Sequence, residues 1–182
     1  MTRRWLALAV VALGLGLAVH ALVVWAVPRV IMQRVVSQLM TAVGGSPVLP
    51  PPTDHLQRRV VMPSPDLLYG LCSFDLSKGP LQARADPAGA GVRGYWSIAL
   101  YADTSDNVHV FNDRQAAGTP VQLLLVGPGA SEPPALPGRR LLRMPTERGL
   151  LLLRVLVADP ARDAAAAEAA RRTLRCEPQA GA

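Results

Sequence analysis

The sequence predicts a mainly β protein: an antiparallel β-sandwich-like domain with a C-terminal α-helix, preceded by one N-terminal transmembrane helix. Four observations predict it. Short apolar runs stand at close spacing between residues 66 and 157, separated by turn residues. No helical segments lie between them, as a parallel α/β sheet would need. Asp159-Pro160 opens an alanine- and arginine-rich stretch, with an N-cap residue followed by proline at the first helical position. Trp5–Val27 contains no Asp, Glu, Lys or Arg.

The N-terminal segment comes first. As a helix of ~35 Å it crosses a hydrocarbon core of ~30 Å with some tilt. Residues 1–27 are therefore the expected anchor. Arg3 and Arg4 precede the span and Arg29 and Arg34 follow it. The short tail keeps its arginines in the cytoplasm, so the domain is expected outside, in the periplasm of a bacterial inner-membrane protein. Trp25 suits the far interface. Two readings rival it: a cleaved signal peptide, with imperfect cleavage sites at Val19-His20-Ala21 and Val24-Trp25-Ala26, and a twin-arginine export signal at Thr2-Arg3-Arg4, which the following residues fit poorly.

Residues 28–45 follow as a membrane-proximal helix. Val30, Ile31, Val35, Leu39 and Val43 keep helical spacing past Pro28, and Gly44-Gly45 stops the pattern. The helix is expected to space the domain from the membrane; a partner-binding stalk is the alternative. Residues 46–53, with Pro47, Pro50, Pro51 and Pro52, read as a stiff linker. Residues 54–182 form the β-rich domain, large enough for one core.

Within that domain Asp66–Leu76 reads as a strand with Leu68, Cys72, Phe74 and Leu76 on one face. Ser77–Pro80 turns it and Leu81–Ala85 returns. Tyr95–Ala102 alternates apolar and polar positions, Asp103–Asp106 supplies turn chemistry, and Val108–Phe111 restarts the pattern, so a hairpin is expected. Val121–Val126 is a further apolar run, Gly127–Pro137 a Gly/Pro-rich loop and Arg140–Met144 a short strand. Gly149–Val157 is nearly all Leu and Val, with Arg154 the charged exception, the pattern of a central strand covered on both faces. The terminal helix, Ala161–Arg175, is its expected cover.

Charge excludes little. The chain has 19 basic and 13 acidic residues, and Lys78 is its one lysine. Arg58-Arg59, Arg139-Arg140-Arg143 and Arg171-Arg172-Arg175 are scattered groups, which favours solvated surface and attraction to anionic lipid over a nucleic-acid stripe.

Pro63-Ser64-Pro65-Asp66, Leu71-Cys72-Ser73-Phe74-Asp75, Gly94-Tyr95-Trp96-Ser97 and Asn107 with Asn112-Asp113-Arg114 carry a family likeness. From Pro63 to Pro128 the chain resembles a bacterial family of no assigned function, domain-of-unknown-function family twelve fifty-four, and its anchor resembles that of the short members. Long members carry a second uncharacterised domain. The resemblance implies that a separate protein supplies that domain here. It implies no catalytic residue and no cofactor.

Candidate site residues gather around the hairpin. If Asp103 pairs with Asn107, then Val108 and Val110 join Ile98 and Leu100 inside. Asn112 and Arg114 then point inward beside Trp96, and Tyr95, Tyr101, His109 and Phe111 form an outer face. A slip of one residue reverses the faces. Tyr95, Trp96, Tyr101, His109, Asn112 and Arg114 are the ligand-binding candidates. No nucleophile elbow, phosphate loop, HExxH or CxxC is present, so no catalytic residue, metal or cofactor is expected. Asp103, Asp106 and Asn107 read as turn residues, not calcium ligands. The expected role is a non-catalytic one through protein partners. A small-molecule or carbohydrate-binding module, or a weakly marked enzyme, is the alternative. Cys72 and Cys176, the two cysteines of an exported chain, are the candidate disulfide.

Overall fold

The structure is a computed structural model that describes residues 2–54, 56, 62–131 and 138–179. Helix α1 (Thr2–Val43) leads the chain and holds Pro28 inside it without breaking. It is long and apolar enough to cross a membrane. Gly44 and Gly45 take φ of +60° and +88°, a region that a Cβ disfavours, and the helix ends there.

Eight strands form two sheets among the described residues. The first has β1 (Leu67–Asp75), β3 (Trp96–Ala102), β4 (Asn107–Asn112) and β7 (Arg148–Leu156) in the order β1-β7-β3-β4, antiparallel throughout. The second has β2 (Leu81–Ala85), β5 (Val121–Val126), β6 (Arg140–Arg143) and β8 (Arg175–Pro178) in the order β6-β5-β2-β8. A one-turn helix α2 (Asp113–Ala116) follows β4, and α3 (Pro160–Arg171) links β7 to β8. The mainly β fold with a C-terminal helix is the one the sequence predicts.

Alternation explains the core. Leu68, Cys72 and Phe74 of β1, Trp96, Ile98 and Leu100 of β3, and Leu151, Leu153 and Val155 of β7 are buried on one face. Leu123 and Leu125 of β5 and Ala83 of β2 face them from the second sheet, as in a two-layer sandwich. Gly149 lets β7 pass close to its neighbours: a Cβ there would lie 2.2 Å from the Tyr101 carbonyl oxygen and 2.4 Å from the Phe74 ring.

Several expectations change. Leu81–Ala85 does not pair back on β1. A 3-10 turn, Leu76–Lys78, capped by the Asp75 side chain, carries the chain across to the second sheet. The β5–β6 pair is parallel, so the connection between the two strands is not a hairpin. Arg143 gathers the start of that connection by donating to the carbonyl oxygens of Gly127, Pro128 and Ala130 at 3.1, 3.3 and 2.7 Å. The terminal helix stops at Arg171, and Arg175 already pairs with β2 as part of β8.

Cys72 on β1 and Cys176 on β8 form a disulfide with 6.4 Å between Cα atoms. Because those strands belong to different sheets, the bond joins sheet to sheet and not helix to strand.

Candidate functional site

The outer face of the first sheet is the seat of α1. Period-two alternation places Leu71 of β1, Leu150 and Leu152 of β7, Ala99 and Tyr101 of β3 and Val110 of β4 on that face. Helical spacing brings Met32, Val36, Leu39 and Met40 to one side of α1, where they pack with Leu150, Leu71 and Tyr101. Val36 is 2% exposed. The Ser105 hydroxyl, at the tip of the β3–β4 turn, donates to the Pro28 carbonyl oxygen at 2.8 Å. Beyond α1, Val48 and Leu71 exchange backbone hydrogen bonds of 2.8 and 2.9 Å, covering the free edge of β1. The second half of α1 is thus bound to the domain and does not merely space it. It shares the covering of β7: α3 packs against the same strand, with Ala167 and Ala170 in the core.

The hairpin register differs from the expected one. Ile98 pairs with Phe111, Ala99 with Val110 and Leu100 with His109, and an irregularity then pairs Tyr101 with Asn107. Phe111 is therefore buried in the core, while Val110 is 40% exposed. The extra residue of a bulge shifts the faces, a local feature with no period-two signature. Burial of an aromatic ring outweighs that of a valine.

This register separates the candidates. Trp96 is core. Tyr101 belongs to the α1 seat. Tyr95 is 41% exposed just before β3, and its carbonyl oxygen accepts from the Leu156 backbone N–H at 2.9 Å. His109 is half-buried beside the irregularity. Asn112 does not point inward beside Trp96. Its side chain caps α2, accepting from the Gln115 backbone N–H while Gln115 returns the bond. Arg114 is exposed on α2. These residues do not line one cavity.

A cleft of about 380 Å³ opens between β4–α2 and β5–β6, lined among others by Phe111, Gln115, Thr119, Gln122, Arg139 and Arg140. The Arg140 guanidinium lies over the Phe111 ring, 5.0 Å from its centroid. Among the described residues neither Arg139 nor Arg140 has a carboxylate partner. Sequence reading misses this cleft because Phe111 and Arg140 are far apart in the chain and only the meeting of β4 with β6 joins them. The visible signal was the Arg139-Arg140 pair itself.

Other polar groups are tied into structure. The Tyr69 hydroxyl accepts from the Ser64 N–H at 2.9 Å and donates to its carbonyl oxygen at 3.3 Å; burial pushes its pKa up. The Ser77 hydroxyl and N–H hold the Asp75 carboxyl below its usual range, helped by Arg148 at 3.3 Å. Arg154 donates to the Ser97 hydroxyl at 3.2 Å on the outer face of the sheet. Arg171 is 7% exposed and pairs with Glu168, holding that carboxyl low. The sequence had placed Arg171 on the solvated surface. No group of three or more His, Cys, Asp or Glu poised to hold a metal occurs among the described residues.

Comparison with known proteins follows the same lines. A family model described as a protein of unknown function, DUF1254, matches residues 42–178. No curated protein matches the chain. Among solved structures the chain resembles the VPA0106 protein of Vibrio parahaemolyticus, at 16% identity and a TM-score of 0.54, over 64% of this chain and 28% of that one. It also aligns with a putative uncharacterized protein from Burkholderia cenocepacia, at 19% identity and a TM-score of 0.43, over 81% of this chain and 42% of that one. The chain spans less than half the length of either. The VPA0106 likeness shows the fold alone.

Proposed function

The chain belongs to the DUF1254 family, and from that premise we propose that it is a single-pass inner-membrane protein whose β-domain lies in the periplasm and acts by binding a partner protein. The docked second half of α1 carries this reading. A helix that both supplies an apolar span and seats on the sheet through Met32 and Val36 holds the domain in a fixed attitude to the membrane. A rigidly presented domain suits the positioning of a partner. Arg29 supports the level of the interface: its guanidinium stacks on Trp25 at 4.5 Å, where the uncharged run ends. The partner class that fits is a membrane-anchored protein carrying the second domain of long family members.

A reporter active only in the periplasm, fused after residue 182, is expected to be active; activity of a cytoplasmic reporter there overturns the compartment. Mature protein beginning between Ala21 and Pro28 replaces the anchor with a cleaved signal. Crosslinking from the exposed Tyr95 in intact membranes is expected to capture a second protein, and recovery of monomer alone removes the partner.

The cleft beside Phe111 favours a second reading, a small-molecule or carbohydrate-binding module. It is carried less far, because Tyr95, Trp96 and Tyr101 do not line the cleft.

A further inference from the structure

We propose that the sandwich edge formed by β4, α2 and β6 rests on the membrane surface, and that Arg139 and Arg140 there take the phosphate of an anionic phospholipid headgroup. The inference deepens the proposed function and rests on its anchored reading.

Two fixed points orient the domain on α1. Ser105, at the β3–β4 turn, bonds to Pro28, one residue beyond the uncharged run and within a helical turn of Trp25 and Arg29. At the other end Gly45 lies beside Ser73 of β1. Between these points Met32, Val36 and Met40 cross the sheet over Tyr101, Leu150 and Leu71. The helix therefore runs across the strands, from the β4 side to the β1 side. From Pro28 to Gly44 it climbs about 24 Å, more than the ~14 Å from β4 to β1 across three strand spacings. With the apolar half of α1 in the bilayer, β4 is the strand nearest the surface and β1 the farthest.

The second sheet agrees. Phe111 of β4 meets Arg140 of β6, so both edge strands lie on that same side, and β8 is the opposite edge. The near side presents Val110, an exposed apolar residue on an edge strand. It also presents the Arg139–Arg140 pair, which no described carboxylate neutralises. Asp106 and Asp113 flank the edge, so attraction to anionic lipid rests on the two arginines gathered at the cleft. A guanidinium pair offers the fork of donors that suits a phosphate.

The test uses the full chain in vesicles of phosphatidylcholine, with and without phosphatidylglycerol. A benzophenone amino acid replaces Val110 on β4 or Glu177 on β8, and lipid adducts are counted after illumination. The expected result is that the chain floats with the vesicles and adducts form at position 110, with few at 177. Arg139→Ala with Arg140→Ala should cut the adducts at position 110 in phosphatidylglycerol vesicles by about tenfold, with little change in phosphatidylcholine alone. Equal labelling at 110 and 177 in a chain that floats overturns the edge contact and leaves the anchor standing. Lipid adducts at 110 that ignore phosphatidylglycerol and both arginines overturn the headgroup site. A chain that does not float fails the anchored reading first. If the double variant misfolds, comparison of the two probe positions in the otherwise unchanged chain still decides the edge contact.

Discussion

Arg171 on α3 donates to the backbone carbonyl oxygen of Pro50, 121 residues earlier in the chain. The same guanidinium reaches the Tyr69 carbonyl oxygen at 3.4 Å and pairs with Glu168. One buried cation thus ties the terminal helix to the proline-rich segment and to β1. Removing it takes this donor from the two carbonyl oxygens and leaves Glu168 with Arg172 alone. Arg171→Ala is expected to cost about 3 kcal/mol, read as a lower denaturant midpoint of the purified chain. Arg171→Lys keeps the charge but loses the fork and should fall between the two. An unchanged midpoint for the alanine variant would show that this tie carries no stability.

The pair also sets a pH dependence. Hydrogen bonding from Arg171, then from Arg172, holds the Glu168 carboxyl below its ordinary value. A carboxyl whose folded pKa is depressed contributes stability above its unfolded pKa of about 4.3 and loses it as pH falls through the lower folded value. Asp75 acts in the same direction through Ser77. Stability should therefore hold near neutrality and decline below about pH 4. Glu168→Gln should flatten that decline. Glu168 is partly open to solvent, so its share is screened. An acid limb of the same slope in the variant would assign the loss to other carboxylates.

Gly149 is a position where shape alone decides. A methyl group there meets the Tyr101 carbonyl oxygen and the Phe74 ring at less than any normal contact. Gly149→Ala is expected to destabilise by about 3 kcal/mol through overpacking. Gly129, with open space around it, is the control, and its alanine variant should be near neutral. Equal midpoints for the two variants would contradict the close approach.

The Cys72–Cys176 bond closes a loop of 104 residues between the two sheets. In the chain-entropy model such a loop contributes about 4–5 kcal/mol. Alkylation of the chain purified without reductant is expected to leave both thiols unlabelled, and a reduced chain should unfold at clearly lower denaturant. Two free thiols in the unreduced chain would show that the bond does not form.

The sheet-forming runs, the N-cap at Asp159 and the glycine stop after α1 were legible because each rests on local periodicity or cap chemistry. Leu81–Ala85 shows the limit. Its alternation marks a strand, but nothing local says that a capped 3-10 turn sends it to the other sheet. The hairpin shows it more sharply. The irregularity near Tyr101 turns Phe111 inward and Val110 outward, undoing the aromatic face that the simple register builds. Arg171 was hidden for a different reason. Its partners, Pro50 and Tyr69, are distant in sequence and accept through backbone atoms, which side-chain patterns do not record.

The coupling of α1 to the sheet makes the last prediction. Val36 is buried against the domain although the helix could have stood free as a spacer. Val36→Ala removes apolar contact and should loosen the seat by about 1–2 kcal/mol. Val36→Asp buries a charge with no partner and should release the helix outright. Ser105→Ala deletes the bond to Pro28 and should act in the same direction by about 1 kcal/mol. The expected readout is local. Backbone amides of Leu150 and Tyr101, in strands next to the seat, should exchange faster with solvent. Those of Leu123 and Leu125 in the other sheet should keep their protection. If the aspartate variant leaves exchange at Leu150 unchanged, the helix is not held at this seat in solution. Uniform loss of protection across both sheets would instead make α1 part of the fold as a whole, with no separable joint between helix and domain.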